Sequence, residues 1–181
     1  LRAESVSDGP GSFAARGRLV LGEGVELDAD GGARLDANGR LHGGKGGDIV
    51  LAGFGIEGFD GASAHAYGTG EGGALEIGAN RIEVGGTGAP ASGLLALDSG
   101  VFSRGGFARY TLNALSRLEI AAGAQIAPTV TSRDLLPEAA VRDSGANVAD
   151  FGVLAVRDAT VRQAAALTLR ARQNTAQTGD L

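Results

Sequence analysis

GGKGGDIVL, residues 43–51, carries the residue types of a calcium site. It matches every fixed position of the nonapeptide G-G-x-G-x-D-x-U-x, whose Asp carboxylates and backbone carbonyls hold calcium between successive repeats. That chemistry needs a second repeat. None precedes Gly43, and Ala52-Gly53-Phe54 follows Leu51, so the stretch reads as a glycine corner leading into a strand from Asp48. No metal is expected there. GTGEGG at residues 68–73 has the spacing of the dinucleotide fingerprint G-x-G-x-x-G, which works only where a helix follows and meets the pyrophosphate. Ala74-Leu75-Glu76-Ile77 follows instead, a strand pattern, and no cofactor is expected.

Acid–base candidates are few. His42 lies in a glycine loop near Lys45, the single lysine, and His65 projects from the polar side of an alanine strand, so surface or packing roles suit both. No G-x-S-x-G elbow presents a nucleophilic serine. Asp28 with Asp36, and Glu76 with Glu119, could stack as the carboxylate pairs that glycoside cleavage needs. Outward carboxylates on strands ordinarily serve solubility and oppose wrong association. One lysine and two tyrosines also leave little for gripping a sugar. No catalytic residue is assigned. Phe102, Phe107 and Tyr110 sit in the aromatic-rich stretch VFSRGGFARYTL and either close an apolar interior or form an exposed binding patch; packing is the simpler expectation.

The elements that must position these residues are short strands. Of 181 residues 32 are glycine, with no Cys, Met or Trp, yet 43% are hydrophobic, which is too apolar for a linker. The net charge of −5 argues against nucleic acid, which needs a basic face. No run of 18 apolar residues spans a membrane as a helix. Absence of cysteine removes disulfides and thiolate chemistry together. The chain opens on Leu1 without a basic-then-apolar leader, and is expected to be one segment, 1–181, of a longer polypeptide.

Runs of three to six residues with strand periodicity recur between glycines: 18–21, 25–27, 48–51, 74–77, 81–84, 107–112, 117–120 and 166–171. Ala62, Ala64 and Ala66 alternate with Ser63, His65 and Tyr67, and small inward residues suit a narrow interior. Leu75-Glu76-Ile77 returns as Leu118-Glu119-Ile120, 43 residues on, which reads as two coils of about 20 residues. The expected fold is all-β, a right-handed parallel β-helix of about eight coils, with an antiparallel sandwich as the alternative. Residues 128–150 break the pattern and read as a loop or short helical excursion. The tail alternation at 167–171 favours strand over helix.

Three stretches carry a family resemblance: GGKGGDIVLAG, GGALEIGANRIEVGG and FSRGGFARYTLNALSRLEIAAGAQIAP, with the tail RQAAALTLRARQ. Over residues 43–173 the chain resembles large bacterial exoproteins of the filamentous haemagglutinin type, and the third stretch is the most specific. The resemblance implies a secreted or cell-surface β-helix, exported through an outer-membrane partner by two-partner secretion. It implies a non-enzymatic adhesin or stalk whose partner is a host or neighbouring-cell receptor or glycan. The family's N-terminal secretion motifs are not in these residues, and it brings no catalytic set. A carbohydrate-active β-helix enzyme is the alternative, and a calcium-loaded RTX-like module a more distant one. End-to-end association through open strand edges is a further expectation.

Overall fold

The computed structural model describes residues 17–60, 64–86, 93–136 and 148–172. They form an all-β molecule whose described helical content is two 3-10 turns, Ser99–Ser103 and Val148–Phe151. The strands in chain order are β1 (Arg18–Val20), β2 (Leu27–Asp28), β3 (Ala33–Leu35), β4 (Leu41–Gly43), β5 (Asp48–Ala52), β6 (Gly55–Glu57) and β7 (Ala64–His65). They continue as β8 (Gly73–Val84), β9 (Leu94–Leu97), β10 (Phe107–Ile120), β11 (Ser132–Leu135), β12 (Gly152–Ala155) and β13 (Ala166–Ala171). The strand expected at 166–171 is present, and those at 48–51, 74–77 and 81–84 are present within longer or merged strands.

Parallel pairing dominates. The largest sheet runs β13-β10-β8-β5, with β9 also paired to β8, and all of its pairs are parallel. Two small parallel sheets, β1-β6 and β2-β7, share one offset, since Arg18 faces Gly55 and Leu27 faces Ala64, each 37 residues along. Among the described residues the pairs β3-β4 and β11-β12 alone are antiparallel.

Register places the apolar residues in rows. Ile49, Leu75, Tyr110 and Leu167 face one another across four strands, and so do Leu51, Ile77, Leu112 and Leu169. Leu51, Leu75, Ile77, Tyr110 and Leu112 are buried almost completely, each contributing about 1.5–3 kcal/mol by leaving water. A second set of rows, Leu95-Ile82-Leu118 and Leu97-Val84-Ile120, continues on the far halves of β8 and β10. Alternation slips between them. In β8 both Asn80 and Arg81 are half-buried, and in β10 the register shifts between Ala114 and Arg117, leaving Leu115 and Ser116 as a bulge. The bulge bends the strand, and Ser116 donates to the Asn80 carbonyl across it, 3.0 Å.

Three expectations need correction. Leu118-Glu119-Ile120 does not align with Leu75-Glu76-Ile77 but with Ile82-Glu83-Val84, so one pass of chain takes 36 residues there. The expected eight coils of about 20 residues are therefore not found, and the deepest ladder among the described residues holds four strands. The irregular stretch 128–150 includes an ordered strand, β11, and the turn Val148–Phe151, while residues 137–147 lie outside the described ones. Of the two readings of Phe102, Phe107 and Tyr110, packing holds and the exposed patch does not. All three are at most 1% exposed, with edge-to-face ring contacts at 5.3 and 5.9 Å that fill the core beside β10. Burial among these rings raises the Tyr110 phenol far above its ordinary pKa.

Candidate functional site

The calcium-like stretch folds as a packed corner. A Cβ at Gly46 would strike the backbone of Ala66 and Gly73, so the close approach of neighbouring segments demands glycine. Gly46 and Gly47 donate to the carbonyls of Glu71 (2.9 Å) and Ala29 (2.7 Å), leaving their amides satisfied. The Asp48 side chain is two-thirds exposed and meets the Arg109 guanidinium at 3.4 Å. GTGEGG runs directly into β8, and Gly72 donates to the Gln163 side chain at 2.8 Å, so no helix N-terminus stands there to meet a phosphate.

Charged side chains converge elsewhere, around His65. Strand β2 and its extension carry Glu26, Asp28 and Asp30 at alternate positions, which a strand points to one side. The parallel register of β2 on β7 sets Asp28 opposite His65. The imidazole Nε2 lies 2.9 Å from Glu26 Oε1, and Nδ1 lies 3.0 Å from Asp30 Oδ1 and 3.5 Å from Asp28 Oδ1. Carboxylates only accept, so both ring nitrogens donate when the ring is doubly protonated. Burial opposes that charge, but the bonds to Asp30 and Glu26 outweigh it and raise the His65 pKa.

Asp30 is the hub. Its Oδ1 also accepts the Tyr67 amide at 2.7 Å, and its Oδ2 takes Arg133 Nη2 from β11 at 2.5 Å. The Arg133 side chain is 8% exposed, lies 5.7 Å over the Tyr67 ring, and leaves its buried Nε without a partner. Tyr67 in turn stacks on His65 at 5.5 Å. Near this hub the hairpin β11-β12 is fastened a second time. Arg133 donates its amide to the Gly68 carbonyl at 2.8 Å, while Arg157 bridges Asp134 and the Thr69 carbonyl, each at 2.5 Å.

Asp28, Asp30 and His65 bring ligand-type atoms within 4.8 Å of one another, the spacing a metal ion uses. Both ring nitrogens face carboxylates and Arg133 pairs with Asp30, so these ligand-type atoms already have partners within the protein. Each nitrogen of the His65 ring already has a carboxylate of the same cluster as its partner. A shallow hollow of about 350 Å³ opens beside it, rimmed by Glu26, Asp28 and Asp48 over Leu27, Ile49 and Leu51. Two of its rim carboxylates are bound to His65 and Arg109. The arrangement joins segments of the fold.

The carboxylate pairs suggested by the sequence separate. Asp36 closes its own turn, accepting from the Asn38 and Arg40 amides and from His42 at 2.8 Å, and its pKa is lowered chiefly by that histidine bond. Asp28 belongs to the His65 cluster instead. Glu76 accepts from Asn113 at 3.0 Å, and Glu119 pairs with Arg117 at 2.8 Å. Glu26, Asp30 and Arg133 escaped the sequence reading. The alternation Glu26-x-Asp28-x-Asp30 was the available signal, whereas Arg133 joins them from over 100 residues away. No family model, curated protein or solved structure matches the chain.

Proposed function

We propose that this chain is a coil-stacked segment, a right-handed parallel β-helix, serving as a structural stalk or adhesive surface of a large secreted or cell-surface bacterial exoprotein. The observation that carries the reading is parallel pairing at a long offset that recurs in three places, while β5 on β8 takes a shorter step (Ile49 to Leu75) and β10 on β13 a longer one (Tyr110 to Leu167). β1 on β6 and β2 on β7 both step 37 residues, and the far half of β10 on β8 steps 36. A chain that returns to a parallel register at two or more strand positions per pass winds as a solenoid, burying one continuous column. β9 is an extra parallel strand within one pass, and β11-β12 is a hairpin insertion in another.

Among the described residues Asp30 pairs with His65, Asp98 with Arg104, Asp48 with Arg109 and Glu119 with Arg117, which suits a structural role for these carboxylates. The resemblance to filamentous haemagglutinin-type exoproteins supplies the secreted setting, the outer-membrane export partner and a receptor or glycan as the binding partner. The test is twofold: incubation with a panel of acidic and neutral polysaccharides, and binding of immobilised chain to glycans and cell surfaces. Retention without cleavage is expected. Turnover of any polysaccharide would replace this reading with the enzymatic one.

A further inference from the structure

We propose that the Glu26–Asp28–Asp30–His65 cluster is a pH-sensitive clasp that fastens the segment 26–31 onto β7 and loosens as the surroundings turn alkaline. The geometry places one imidazole between three carboxylates of a short segment, whose Ala29 carbonyl also accepts from Gly47 on the other side at 2.7 Å. β2 pairs with β7 over two residues, extended by Ala29 N–H to the His65 carbonyl and Gly31 N–H to the Tyr67 carbonyl, at 2.9 and 2.8 Å. The groups facing the ring are Glu26, Asp28 and Asp30 from the β2 segment, Tyr67 stacked from its own segment, and Arg133, which reaches Asp30 from β11. With His65 charged, two cations answer three carboxylates. When it loses its proton, Arg133 alone remains, one of the two imidazole hydrogen bonds is lost, and like charges crowd one face.

The direction follows from linkage. The His65 pKa is raised in the folded state, so its contribution is fully present below the ordinary histidine range and disappears as pH rises through the folded value. Arg133 keeps the hairpin on Asp30 throughout, so loosening is confined to residues 26–31. Opening there uncovers the β7 edge for another strand.

Amide exchange on the full chain tests this between about pH 6 and 9. Protection at Ala29 and Gly31, corrected for intrinsic exchange, should fall by about tenfold per pH unit separating the folded and unfolded titrations, while Leu112 stays constant. His65→Gln should make that protection independent of pH, and His42→Gln should leave the native dependence intact. Should His65→Gln not fold, Glu26→Gln keeps the ring, removes one charged acceptor and should move the fall to lower pH. Protection that is flat with pH in the native chain, an imidazole titrating at or below the ordinary value by NMR, or an unchanged dependence in Glu26→Gln would each overturn the clasp.

Discussion

At the scale of single residues, what separates Asp30 from Asp48 is the number of partners and their depth. Asp48 sits at the solvent end of β5 with one long contact to Arg109, so its charge remains hydrated. Asp48→Ala, or addition of a chelator, should change stability by less than about 0.5 kcal/mol, read as superimposable thermal melts. Loss of strand signal in chelator would restore the calcium reading of GGKGGDIVL. Asp30 accepts from His65, Tyr67 and Arg133 together, and Arg133 has almost no access to water. Removing one partner of a buried pair strands the other charge, so Asp30→Ala should cost about 3–5 kcal/mol in denaturant midpoints. Asp28→Ala, whose carboxylate is largely exposed, should cost about 1 kcal/mol or less. Equal losses at Asp28 and Asp30 would show that the hub is not where the geometry places it.

At the scale of elements, the deciding quantity is which way a strand residue points. In β10 Leu112 lies in the row Leu51-Ile77-Leu112-Leu169 and is 1% exposed, whereas its neighbour Thr111 faces Glu76 and Thr168 on the other side. Leu112→Asp should cost about 4 kcal/mol or more, by burying an unpaired carboxylate, and Thr111→Lys about 0.5 kcal/mol or less. Leu118→Asp should fall between, because beyond the Ala114–Arg117 bulge the row opens: Leu118 is half-buried and Ile120 is 45% exposed. Comparable damage at Leu112 and Thr111 would deny the two faces. Much of this was legible beforehand. Alternation located β5, β8, β10 and β13 because one face of each is apolar, a local property. The pairing was not legible, since Leu-Glu-Ile recurs at 75 and 118 with the same faces but different partners. Identity of a triplet says nothing about the bulge that sets register. β6 and β9 were passed over for a related reason. Gly55-Ile56-Glu57 and Leu94–Leu97 have too little alternation of their own, and neighbouring strands hold them in place. The His65 cluster was half visible, its three acids spaced two apart on one strand and its arginine beyond any local pattern.

At the scale of the whole molecule, the ladder has an end that the described residues leave unpaired. Four strands in parallel register span about 14 Å from β5 to β13, far short of the eight coils expected. The rows run out at β13, where Leu167 and Leu169 continue the apolar column and Leu169 is 37% exposed. Among the described residues β13 pairs only with β10, so its other side carries backbone donors and acceptors aligned for another strand. Pairing and partly exposed leucines on one edge favour addition of a strand from a second molecule, since such contact satisfies the backbone and covers the column at once. The mass measured by sedimentation should therefore rise as the chain is concentrated from micromolar to roughly millimolar levels. A charge at the edge opposes this without touching the completed rows, because a long cationic side chain reaches water from a partly exposed site. Leu169→Lys should keep the chain monomeric over the same range with its strand signal intact. A native chain that stays monomeric throughout, or a Leu169→Lys variant that associates as the native chain does, would mean that β13 is not the joining edge.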